Sequence, residues 1–211
     1  MKLKKKAKRT LIIIVILILV GLCAFLGYKM FTDKKDEVKE TKVLKTIEKY
    51  NYTLHDNKTA RYKKMFEKLN EILTEKEVDE EKYAKQIAEM FVYDFYSLKD
   101  KTAKTDVGGV DFVYSGVLDN FLLNAEDTYY KYVESNIYGN RDQKLPEVDE
   151  ITIDSVRVEP FTIAGGNTDE KAYHVKVNWT YKGEGFDSYQ KAAELVFIHN
   201  DIRLDLVELQ K

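Results

Sequence analysis

The chain reads as an α+β protein: one apolar N-terminal transmembrane helix, then a helical part packed on a four-stranded antiparallel meander whose first strand is bulged. Three observations predict this. Apolar residues recur at helical spacing as far as Tyr138. Beyond Tyr138-Gly139 the period falls to two. The chain also opens KLKKKAKRTLIIIVILILVGLCAFLGYKM after Met1, six basic residues and then an apolar run.

The stretch from Thr10 to Tyr28 carries no charge. As a helix it would reach about 28 Å, close to the thickness of a bilayer's hydrocarbon core. Its C-terminal end is bulky (Phe25, Leu26, Tyr28, Met30, Phe31) and lacks the small-x-small pattern of a cleavable signal. Leu22 before Cys23 likewise departs from a lipoprotein processing site, which resembles Leu-Ala-Gly-Cys. A retained anchor over residues 10–31 is therefore expected. The basic residues Lys2 to Arg9 precede the span with no acid among them, whereas Lys29, Lys34 and Lys35 are interleaved with Asp33, Asp36 and Glu37. This bias keeps residues 1–9 in the cytoplasm as a short tail and puts the body outside the cell membrane.

Residues 32–45 are almost all charge and read as a juxtamembrane stalk, leading into a domain over 46–211. A short helix is expected over Val38–Tyr50, followed by a turn-rich break, NYTLHDNKT. From Thr59 to Leu73, residues Tyr62, Met65, Phe66, Leu69, Ile72 and Leu73 form one apolar stripe. Asp79 caps the next helix, with Glu80 and Glu81 placed favourably in its first turn. That helix runs to about Leu98 with Tyr83, Ile87, Met90, Phe91, Phe95 and Leu98 inward. After Gly108-Gly109, read as a turn, VDFVY (110–114) predicts a short strand. Ser115 would then cap a fourth helix, with Val117, Leu118, Phe121, Leu122, Ala125, Tyr129, Tyr132 and Val133 inward.

Pro146 sits in the connector to the sheet, where a missing amide donor is harmless. In ITIDSVRVEPFTI, Ile151 and Ile153 share one parity while Val156 and Val158 share the other, so a bulge near Asp154-Ser155 is expected. Tyr173, Val175, Val177, Trp179 and Tyr181 alternate with His174, Lys176, Asn178, Thr180 and Lys182, which defines the buried face and leaves His174 toward solvent. Gly183 and Gly185 turn the chain into Lys191–His199, and Asn200-Asp201 turns it into Ile202, Leu204 and Leu206.

This element order, with the bulged strand ITIDSVRVEPF, resembles the nuclear-transport-factor-like cone fold, also called cystatin-like, over residues 40–211. Membrane-anchored versions of it occur as assembly subunits of bacterial type IV secretion and conjugation machines. The resemblance implies a sheet whose inner face lines a cavity; it carries no motif and assigns no residue a role.

Charge excludes one class of function. Seven of the 34 basic residues lie in the first 31, which leaves 27 against 36 acids and a net charge of −9 for the rest. Nucleic-acid binding relies on concentrated positive charge, so none is expected. The single cysteine, Cys23, lies in the span, which rules out an intrachain disulfide or a thiolate metal site. His55, His174 and His199 show no zinc spacing, and neither a nucleophile elbow nor a phosphate loop occurs. No metal and no cofactor is expected. Two features remain as ligand-binding candidates. Asp94 falls in the middle of an apolar helix stripe, where a carboxylate is costly unless paired or protonated. Tyr173, Trp179 and Tyr181 share the inward face of the sheet.

These readings favour a single-pass membrane protein displaying a non-catalytic interaction or assembly domain. Its partners would be the bilayer, other envelope proteins or a second copy of itself. The alternatives are a cone-type small-ligand or isomerase-like enzyme domain with Asp94 as acid or base, and a cell-envelope binder of sugar or peptide through exposed tyrosines.

Overall fold

The computed structural model describes residues 41–163 and 165–210. The expected tail and membrane helix, and the stalk as far as residue 40, lie outside them. Among the described residues no helix is long and apolar enough to cross a membrane.

The first element corrects the helix expected over Val38–Tyr50. Residues Val43–Ile47 form strand β1, Glu48–Tyr50 a single 3-10 turn and Tyr52–His55 strand β2, paired antiparallel with Ile47 opposite Tyr52. Asn51 makes the turn in the left-handed region, φ 52°. The hairpin prevails because it sends Ile47, Tyr50, Tyr52 and Leu54 into one core, whereas the helix-and-break reading leaves Tyr52 and Leu54 in a loop. Polar contacts fix it against α2 and the sheet. The Tyr52 and Tyr83 hydroxyls lie 2.6 Å apart, and Arg203 stacks on the Tyr52 ring while donating to the Tyr50 carbonyl at 3.0 Å.

Helix α1 (Ala60–Thr74) starts where expected, with Thr59 Oγ1 accepting the Tyr62 N–H at 3.2 Å. Helix α2 (Glu80–Tyr96) is capped by Asp79, whose Oδ1 accepts the Lys82 N–H at 3.0 Å. It is buried almost all round, including Ala84, Ile87, Ala88, Met90, Phe91 and Val92, since α1 covers one side and the sheet the other.

The loop after α2 is strapped to it by glycine. A Cβ on Gly108 would stand 2.1 Å from the Asp94 carbonyl oxygen, and one on Gly109, at φ 73°, 2.6 Å from the Phe91 ring. This pair is thus a close approach of two backbones as well as a turn. In place of the expected strand, Val110–Phe112 form a 3-10 turn and a lone parallel bridge joins Val113 to Leu206. Helix α3 (Leu118–Asp127) is shorter than its apolar pattern suggests. Beyond it Tyr130 is fully buried, with its hydroxyl donating to the Phe95 carbonyl at 2.6 Å and accepting the Gly108 N–H at 3.0 Å. That anchor breaks the helical phase and leaves Tyr132, expected inward, 76 % exposed.

Strands β3 (Val148–Thr162), β4 (Thr168–Tyr181), β5 (Ala192–Asn200) and β6 (Arg203–Gln210) make an antiparallel meander in chain order, with the helices packed on one face. The register of β3 shifts between Ile153 and Ser155, where the bulge is expected, and again across Pro160, which has no amide hydrogen for the ladder. Tyr173, Val175, Val177, Trp179 and Tyr181 are all buried, as their alternation requires. His174 corrects the alternation rule. It is only 9 % exposed on the other face, its Nδ1 3.3 Å from Glu194, because Phe161 of the bulged strand comes back over it beside Ala172, Val196 and Ile198.

Candidate functional site

Asp94 lies on the α2 face turned to the loops at its end. Its Oδ2 accepts from Lys58 Nζ at 2.7 Å and from the Gly109 N–H at 2.9 Å, and its Oδ1 from Lys101 Nζ at 3.0 Å. Burial opposes its charge, but the Lys101 and Lys58 ammonium groups outweigh that penalty, aided by the Gly109 amide. The carboxyl is therefore held well below the usual range. The adjoining recess holds only about 80 Å³. Room for a few waters remains, since each takes about 30 Å³. Chemically, the arrangement is a clamp that ties the turn before α1 and the loop after α2 to one carboxylate.

Tyr173, Trp179 and Tyr181 share a face but not a site. Six residues of strand separate Tyr173 from Trp179, roughly 20 Å. Tyr173 donates to Glu80 Oε2 at 3.1 Å, and burial followed by that contact pushes its hydroxyl up to about 12. His199 bridges the same carboxylate, 3.4 Å from Nε2, to Asp169, 2.9 Å from Nδ1, which pins the start of α2 to the sheet. At the other end Trp179 packs on Tyr96, centroids 4.2 Å apart. Tyr181 donates to the Gln190 carbonyl at 2.7 Å and stands 2.8 Å from the Tyr129 hydroxyl, which leaves Tyr129 as donor in that pair. The Tyr96 hydroxyl is buried with no hydrogen-bond partner among the described residues.

Outside this layer lies a wide concave surface, a cleft of about 710 Å³. Phe95, Tyr96, Tyr129, Tyr132 and Tyr189 form its aromatic wall, and no charged residue among the described ones lines it. It runs into a second groove of about 380 Å³ between α3 and β6, with Phe95, Thr128 and Leu209 common to both. The groove exists because α3 leans on Phe91 and Phe95 through Phe121 and stands off the sheet. Leu123, Tyr132, Ile137 and Tyr138, on α3 and the segment after it, expose most of their side chains.

Sequence reasoning singled out Asp94 and the three sheet aromatics, and Asp94 stands apart from the cleft. It missed Lys58 and Lys101, whose loop positions gave no periodic signal. It also missed the groove wall formed by Asn120, Asn124 and Thr128, although their spacing of four residues was visible. Among the described residues no group of three or more His, Asp or Glu side chains is arranged to hold a metal ion. Compared with known protein families, curated proteins and solved structures, the chain matches none.

Proposed function

We propose that this is a single-pass membrane protein, anchored by residues 10–31 with its N-terminus in the cytoplasm, that displays a non-catalytic interaction domain outside the cell. Its contact surface is the cleft and groove bounded by α3, the segment after it and β6. The observation that carries the reading is the division of chemistry in the domain. The strongest acid candidate, Asp94, has both oxygens taken by two lysines and an amide, whereas the 710 Å³ cleft is aromatic and lined by no charged side chain among the described residues. Apolar surface of this kind, with tyrosines at its rim, suits docking better than proton transfer. The four-stranded meander and the bulge beside Ser155 are the features of the cone-fold resemblance that the domain keeps, and the assembly role is read from them.

Photo-crosslinking in intact cells tests the proposal. A photoreactive residue at Asn124 or Tyr132 is expected to give discrete adducts with another envelope protein or a second copy, and one at Lys68 on α1 none. Absence of adducts at both groove positions, or equal adducts at Lys68, overturns it.

A further inference from the structure

Resting on that reading, the geometry points to the occupant: we infer that the groove between α3 and β6 takes an extended peptide as an added β-strand, hydrogen-bonded to β6 on one edge and to the Asn120 and Asn124 amides on the other. The first support is the sheet edge. β6 is the last strand of the meander, and a single bridge is already made to it from outside: Val113 bridges Leu206 in parallel, with the Tyr114 N–H donating to the Leu206 carbonyl at 2.8 Å. The chain then leaves for α3. Beyond that point no backbone hydrogen bond from outside the sheet reaches Val207–Gln210 among the described residues. Such an edge is a template for another strand, and the bulge that leaves Val207 without a partner on β5 confines the regular part of it to Glu208–Gln210.

The second support is the opposite wall. Asn120 and Asn124 stand four residues apart on one side of α3, Thr128 follows just past its end, and all three line the groove. Neither asparagine side chain has a hydrogen-bond partner among the described residues, although each carries donors and an acceptor. Four helical residues advance about 6 Å, and two residues of strand about 6.8 Å. The amides therefore repeat at nearly the interval at which a strand presents N–H and C=O on one edge. Glu208–Gln210, the regular part of β6 past the bulge, spans about 7 Å and Asn120–Asn124 about 6 Å, so both walls suit a strand of two or three residues. An extended backbone has two polar edges, and this groove offers a polar row to each.

The side chains of the occupant follow from the rest of the lining. Val117, Phe121 and Leu209 ask for apolar side chains, and the aromatic cleft beyond Thr128 accepts a larger one. Glu208 is the one charged residue lining the groove, and its carboxylate accepts only from Gln210 Nε2, at 3.1 Å, among the described residues. It calls for a lysine or arginine. The partner is thus an extended peptide, apolar with one basic residue.

The test uses the full chain in phosphatidylcholine nanodiscs and a phage-displayed library of random linear octapeptides. Enriched peptides are synthesised with a fluorophore, and binding is followed by polarisation. Asn124→Trp, a change at an exposed position that fills the groove, is expected to weaken binding about tenfold or more, as is N-methylation of single peptide nitrogens on the unaltered protein. In the double variant Asn120→Leu, Asn124→Leu, methylation of the nitrogens that face α3 adds no further loss, while methylation of those that face β6 still does. The proposal is overturned if no peptide is enriched, if the enriched peptides tolerate methylation at every position, or if a glycan array is bound and Asn124→Trp abolishes that binding. Should crosslinks at Asn124 persist alongside any of these outcomes, the interaction domain stands with a different occupant; should they be absent, both readings fall.

Discussion

Asp94 shows how a charge placed on an apolar helix face is made stable. Its carboxylate lies between Lys101 and Lys58 with the Gly109 amide as a third donor, so replacing it strands two ammonium groups in poorly solvated positions. We expect Asp94→Asn to lower stability by about 3–5 kcal/mol at neutral pH in chemical denaturation. An unchanged or more stable variant would show that the clamp contributes nothing. The pH dependence has a definite sign. Because the folded carboxyl is held below its unfolded value of about 4, its contribution is complete above that pH and is lost as the pH falls through it toward the folded value. The difference between wild type and Asp94→Asn should therefore hold steady from pH 7 to about pH 5 and shrink below about pH 4, and a difference that grows on acidification would contradict the assignment. The cost of this carboxylate was legible from its place in the stripe. Its partners were not, since Lys58 and Lys101 lie in loops and reach it only after folding.

Among the elements, the β1–β2 hairpin depends on one backbone conformation. Asn51 turns it at φ 52°, a region that asparagine and glycine accept and β-branched residues do not. Asn51→Val should cost about 1–2 kcal/mol while Asn51→Gly stays near wild type, read by denaturation and by hydrogen exchange of the β2 amides. Equal stability of the two variants would mean that the turn relaxes to another form. The same hairpin marks where pattern reading fails. Lys45, Glu48 and Lys49 give residues 43–50 a helical look, and the choice of strand came from the burial of Tyr52 and Leu54, Tyr52 against Tyr83 of α2, Phe112 and Arg203. Helices α1 and α2 were legible because a full apolar stripe and a cap coincide in each. Helix α3 was overextended because Tyr130, not the periodicity, sets where the chain must turn.

For the whole molecule, the expected topology is tested on the intact cell. In a Cys23→Ser background, Ser135→Cys places a thiol on an exposed part of the domain. An impermeant maleimide should label it in intact cells, and labelling only after lysis would reverse the orientation.

The α+β class, the order of four meander strands, the buried parity of β4 and the bulge beside Ser155 were written in the sequence, because local periodicity and turn chemistry decide them within a few residues. Tertiary structure alone decided that His174 is buried, that Asp94 is paired, and that α3 stands off β6 to leave a groove. Each of these depends on surfaces brought together across tens of residues: Phe161 over His174, two loop lysines on one helix carboxylate, and Phe121 resting on Phe91 and Phe95 instead of on the sheet. Side-chain period reports which face of an element is apolar; it carries no information on how far that face lies from its neighbour, and the groove is made of that distance.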